Sequence, residues 1–214
     1  MKSTQAGFTL IELAIVLVII GLLLGGVLKG QELINSAKVK NMATDFKNIQ
    51  AYIYGYQDKF RALPGDDSKA VPHVAGTLAT TGGTPGNAII EGQWNSTTAT
   101  EESALFWQHA RLANLATGTA IVADANYYPT NADGGRIGVQ SVSGFTKITG
   151  MSGVFAICSD AILGKFSKQL DTALDDGETS TGSLRAVLSA ATTGAGVASA
   201  SIVDSSSYTA CLTF

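Results

Sequence analysis

The side chains able to do chemistry in this chain are few and scattered. Four carboxylates, Asp171, Asp175, Asp176 and Glu178, crowd around Gly177, with Thr179 and Ser180 following. Hard oxygen donors in that number could hold Ca²⁺, but their spacing is not that of an EF-hand loop, and a solvated acidic turn accounts for the same residues. Asp66-Asp67, just after Pro64-Gly65, is a smaller acidic pair. His109 has no second ligand or nucleophile at a fixed offset, the pattern of a structural or exposed histidine. Tyr52, Tyr54 and Tyr56 invite thoughts of electron transfer, yet tyrosines near a helix end more often serve packing and surface. No phosphate-cradling glycine loop, zinc signature, nucleophile elbow or supported pair of catalytic carboxylates occurs in the 214 residues. These residues assign no catalytic role, and calcium is the one cofactor they could take.

Glu12 stands apart because of its surroundings. From Phe8 to Leu28 the chain is apolar except for Thr9, Glu12 and glycines, after a polar start that carries Lys2. About 20 residues at 1.5 Å rise span a bilayer core of roughly 30 Å. The Lys2 side is expected to stay cytoplasmic and the remainder to face outward. A carboxylate inside such a segment costs about 2.5 to 3.5 kcal/mol on insertion scales, so it must be protonated, hydrated near the headgroups, or paired with a cation. No Lys or Arg follows within the next turns. A new α-amino group, created by cutting between Gly7 and Phe8 and presented by a neighbouring subunit, would supply that cation.

The run Gly7-Phe8-Thr9-Leu10-Ile11-Glu12-Leu13, with its short charged leader and unbroken apolar continuation, resembles the N-terminus of type IV pilins and of type II secretion pseudopilins. The resemblance implies that a prepilin peptidase cleaves after Gly7 and methylates the amine of Phe8. It also implies that Glu12, with Thr9 beside it, serves assembly by compensating that amine in an adjacent subunit. Implied partners are identical or homologous pilin subunits, the peptidase and an inner-membrane assembly platform. The precursor would sit in the inner membrane and the product in an extracellular pilus or a periplasmic pseudopilus. One departure is the lack of the proline that commonly interrupts the pilin helix. Gly21, Gly25, Gly26 and Gly30 stand there instead, either to loosen the helix or to let helices pack closely.

The composition agrees with one domain plus a long element: 45% hydrophobic, 14% charged, 24 glycines and a formal charge of -3. That charge gives no reason to expect nucleic acid as the main partner, since backbone binding needs clustered Lys and Arg. Cys158 and Cys211 fit no zinc spacing; in an oxidising compartment they should pair, closing a loop of roughly 50 residues and stabilising the fold by about 4 kcal/mol.

The expected fold is α+β: a long N-terminal helix packed on a head with an antiparallel sheet, extra helices and a C-terminal disulfide. Residues 1–7 read as leader, 8–28 as membrane anchor or filament core, 29–61 as amphipathic continuation and 62–214 as head. Met42, Phe46, Ile49, Ile53, Tyr56 and Phe60, alternately four and three apart, make one helical stripe that stops before Leu63-Pro64-Gly65. Residues 64–100 read as a long loop, which is unusual inside a compact domain unless it has a job. A helix is expected over 101–115 with Thr100 as N-cap and Trp107 in the core. Strands are expected at 120–122, 137–139, 154–158, 184–188 and 208–214, a turn at 131–135, and a helix over 161–174 capped by Asp160. Three functions compete: the subunit of a surface fibre for adhesion, motility or uptake, a pseudopilin that pushes cargo, and a membrane-anchored binding module. The Thr/Ser/Gly-rich loop and the size of the head suit an exposed fibre.

Overall fold

The computed structural model describes residues 9–214, so the expectations placed on Gly7 and Phe8 lie outside the described residues. Helix α1 runs Leu10–Phe60 without a break. Its end is local: Arg61 takes a left-handed backbone with φ 55°, and the chain then reaches Leu63-Pro64, where no helix can continue. The chain divides into two compact units between Lys38 and Val39, inside α1.

In the second unit the expected stripe faces inward. Val39, Met42, Ala43, Phe46, Ile49, Ile53 and Tyr56 are buried, while Phe60 is only half-buried. The unit adds α2 (Ala70–Val74), α3 (Glu102–Leu112), β1 (Ile137–Ser141), β2 (Phe155–Leu163), α4 (Gly164–Leu174), β3 (Leu184–Leu188) and β4 (Ser207–Thr213). The four strands form an antiparallel sheet in the order β1-β2-β4-β3. Strand alternation then decides which side chains meet. Val139, Ile157, Leu184, Ala210 and Leu212 join the core built on α1, with Phe106, Trp107 and the α4 residues Phe166 and Leu170. Cys158, Val187 and Cys211 join Trp94 and Ile148 in a second cluster. Cys158 lies directly opposite Cys211 in the β2–β4 register, and the two are disulfide-bonded across a separation of 53 residues.

The long segment after α1 is irregular apart from α2, and buried side chains hold it in place. Asp66 accepts the backbone N–H groups of Gly86, Asn87 and Ala88. Ser141 Oγ accepts from Ile90 N–H at 2.8 Å, and Gln140 Oε1 accepts from Trp94 N–H at 2.9 Å. Gly65 is required at the start of this segment: its φ is +92°, and a Cβ there would come within 2.3 Å of the Glu102 carbonyl oxygen.

Three local expectations are corrected. Asp160 does not cap a helix: β2 continues through Leu163 and α4 begins at Gly164. Asp160 instead accepts from the Thr209 hydroxyl at 2.6 Å, beside a register shift between Ser159 and Ile162 where Ala161 takes φ 53°. Residues 120–122 form no strand, because this short apolar run finds no ladder partner. The N-cap of α3 is Glu101 rather than Thr100, and its side chain makes no cap hydrogen bond. The turn at 131–135 is present, with Asn131 N–H donating to the Gly135 carbonyl at 2.8 Å.

Candidate functional site in the exposed apolar helix

The first turn of α1 closes on itself. Thr9 N–H and Thr9 Oγ1 both donate to Glu12 Oε2 at 2.8 Å, and Glu12 N–H donates to Thr9 Oγ1 at 3.3 Å. This is a reciprocal capping box, built by Thr-x-x-Glu at the head of an apolar run. It satisfies helix donors that would otherwise be orphaned and places a carboxylate at the positive end of the helix dipole. Among the described residues no basic side chain pairs with Glu12, and Oε1 takes no hydrogen bond. That oxygen can accept a further cationic donor. The Thr-x-x-Glu spacing of Thr9 and Glu12 is itself a sequence signal for this cap.

Beyond that cap the helix offers apolar surface on every side. Leu10 is 88% exposed and Leu22 73% exposed. The helix is long and apolar enough to cross a membrane, and none of its most hydrophobic window is buried within the chain. A Cβ added at Gly21, Gly25, Gly26 or Gly30 would meet nothing within 4 Å. Packing within the chain therefore does not require these glycines. The ion pair of Lys29 with Glu32 on this stretch, at 2.7 Å, is exposed and one turn long, worth ~0.3 kcal/mol.

The other sequence candidates serve structure. Asp171 is fully buried, and its Oδ1 accepts from Gly177 N–H at 2.6 Å. Burial first, then the neighbouring Asp176, Asp175 and Glu178, push its carboxyl up to about 6. Asp175 accepts from Leu184 N–H, Asp176 from Glu178 N–H and Thr181 Oγ1, and Glu178 from Ser180 and Ser199. The four carboxylates thus tie down a turn, and among the described residues no group of three or more His, Cys, Asp or Glu could hold a metal ion. Asp67 accepts from Tyr56 Oη and pairs with His73 Nδ1, both at 2.7 Å. Burial pushes its carboxyl up, but the hydrogen bonds from His73, Tyr56 and Lys69 outweigh that and leave it below the usual range. His109 is buried: Nδ1 accepts from Gly65 N–H at 2.9 Å, so Nε2 carries the proton toward the Thr77 carbonyl at 2.8 Å. Both ring nitrogens are occupied and burial lowers its basicity, so it is a structural histidine. Trp107 is in the core. Of the three tyrosines, Tyr56 is buried on Asp67, Tyr52 is half-buried, and Tyr54 lies exposed, edge-on to Phe214 at 5.9 Å.

Sequence reasoning missed the polar interior around α3. Glu102 is fully buried, accepts from Glu91 N–H at 2.8 Å through Oε2, and leaves Oε1 unpartnered. Burial is the main cause that lifts its carboxyl to about 7.

Residues 2–28 match the family model described as the prokaryotic N-terminal methylation motif. The chain carries the N-terminal signature of type IV pilins and pseudopilins. The match takes in the residues ahead of Thr9, the Thr9–Glu12 box and the exposed apolar turns, and it ends where the uniformly apolar pattern ends. No curated protein and no solved structure matches the chain. The methylation motif and the apolar helix fit a membrane-anchored precursor of a pilin-like structural protein.

Proposed function

We propose that this chain is the structural subunit of a type IV pilus, polymerising through its N-terminal helix into an extracellular filament. The observation that carries the reading is the methylation motif seated on a helix whose apolar surface the chain itself leaves uncovered. Residues 1–7 are the leader, prepilin peptidase cuts after Gly7 and methylates Phe8, and residues 8–28 serve first as membrane anchor and then as filament core. Staggered copies bury one another's helices. Covering six of the exposed Leu, Ile and Val side chains would contribute on the order of 10 kcal/mol before association costs. Glu12 sets register, because Oε1 can accept from the α-amine of a neighbouring Phe8 while Thr9 holds Oε2. A mispaired carboxylate in that core is heavily penalised. The head, residues 62–214 with the second half of α1, forms the outer surface, and the pinned segment after α1 presents Thr, Ser and Gly to solvent.

Intact mass and N-terminal sequencing of protein from sheared cell-surface material test this directly. The expected product starts at methylated Phe8 and is lighter than its reduced form by two hydrogens. A chain beginning at Met1 and confined to the membrane fraction would overturn it. A mature chain found only in the periplasm, with loss of exported proteins on deletion, would point to a pseudopilus. Glu12→Ala should leave cleavage intact and abolish incorporation into fibres.

A further inference from the structure

A cavity of about 210 Å³ opens between the second half of α1, α3 and the loop after α3. Its wall carries unused polar groups of both signs. Trp107 is 3% exposed, and its indole Nε1–H lacks any hydrogen-bond partner. Arg111 is 8% exposed; Nε donates to the Thr117 carbonyl at 3.1 Å and Nη1 to the Thr119 carbonyl at 2.8 Å, which leaves Nη2. The guanidinium is held in place, since the loop closes over it at Gly118, where φ is +116° and a Cβ would come within 2.9 Å of Nε. Asp45 also lines the cavity and forms no hydrogen bond or ion pair among the described residues. Burial alone lifts its carboxyl to about 6.

Asp45 and Tyr52 are two turns apart on α1, about 10 Å along its axis. The Arg111 guanidinium lies over the rings of Tyr127 and Trp107, 5.0 and 5.7 Å from their centroids, and forms no ion pair with Asp45. Two groups of opposite sign thus line one small cavity without an ion pair between them, an arrangement that a bridging third body would stabilise. Ile49 and Ile137 add apolar surface to the same lining. A cavity of about 150 Å³ holds a benzene-sized molecule, and drug-sized ligands need about 300 Å³ or more.

We propose that this cavity is a binding site for a small zwitterion, its carboxylate on Arg111 Nη2 and Trp107 Nε1 and its ammonium on Asp45, with a short aliphatic chain between. A ligand of about seven non-hydrogen atoms binds with micromolar to millimolar affinity at ordinary efficiency. The cavity belongs to the head and does not depend on the filament reading.

The probe is γ-aminobutyrate, titrated into the full-length chain in detergent micelles, with ¹H–¹⁵N spectra following the indole N–H signals. Trp107→Phe assigns its resonance, and Trp94, buried in another cluster, is the internal control. The Trp107 signal is expected to move saturably while the Trp94 signal stays still. Butyrate, which lacks the ammonium, should bind about tenfold more weakly, a difference of about 1.4 kcal/mol. Asp45→Asn should weaken γ-aminobutyrate by the same factor and leave butyrate unchanged; this variant sits at a half-buried site and spares the guanidinium. A flat titration, equal binding of the two probes, or an indifferent Asp45→Asn variant would each overturn the proposal.

Discussion

One helix passes through two environments, and the contrast shows what each part is for. Up to Lys38 its apolar side chains are exposed on all faces, as Leu17 is at 69%; from Val39 the inward face is shut, as Phe46 is at 1%. Propensity does not separate the halves, because both are continuous helix. What separates them is whether the chain supplies a partner. The head satisfies its own stripe with the sheet and α4, whereas the most apolar window of the first part stays uncovered by the chain.

The sharpest way to break this comparison is a matched pair of truncations. Phe46→Ala removes a core ring and should cost about 3–5 kcal/mol of head stability. Leu17→Ala removes an equally apolar side chain and should leave the head's denaturant midpoint unmoved. Tryptophan fluorescence during urea unfolding reads both. Equal losses would mean that the two regions unfold as one and that the contrast is not energetic.

The covalent link sharpens the same point, for both cysteines lie in the head. Closing a loop of 53 residues restricts the unfolded chain, so the Cys158→Ser, Cys211→Ser double variant should lose about 4 kcal/mol. A shift below about 1 kcal/mol would show that the sheet register, rather than the bond, confines this region.

Buried charge is the next lever. Glu102 has its carboxyl lifted to about 7 by burial, above its ordinary 4.5. The folded state therefore holds the proton more tightly than the unfolded one. Its contribution is fully present below about pH 4.5 and is lost as pH rises through about 7. Glu102→Gln removes that dependence, and should be about 2 kcal/mol more stable than the parent at pH 8 while nearly matching it at pH 5. Melts at the two pH values check this; a variant less stable at both would show that the folded carboxyl is already ionised at pH 5, against the lifted value.

How much of this could be read in advance depended on the range of the interactions. The α1 stripe was legible because helical spacing repeats locally, and the methylation segment because its residues are contiguous. Strands β1, β3 and β4 announced themselves by short apolar runs. Asp160 misled because an acidic residue before a helical pattern imitates an N-cap, while its true partner, Thr209, is 49 residues away. Residues 120–122 misled because apolar character without a ladder partner makes no strand. The buried Glu102 and the Arg111 cavity were invisible for the same reason: each depends on segments that meet only after folding.

The smallest expected effect tests the place where the comparison is most delicate, the start of α1. Thr9 and Glu12 bond each other reciprocally, so the first turn is ordered from within the chain although all around it is exposed. Thr9→Ala removes the hydroxyl from both of its bonds but leaves Thr9's backbone N–H to donate to Glu12, so it should cost about 1 kcal/mol locally. At the head the cost should vanish, because fraying of a terminal turn does not propagate through an exposed helix. Amide exchange at Leu10–Leu13 in micelles should therefore quicken about fivefold with the head's midpoint unchanged. If exchange does not change, the Glu12 carboxylate is held by lipid or detergent rather than by Thr9, and the proposed pairing with a neighbour's amine must be rebuilt on that surface.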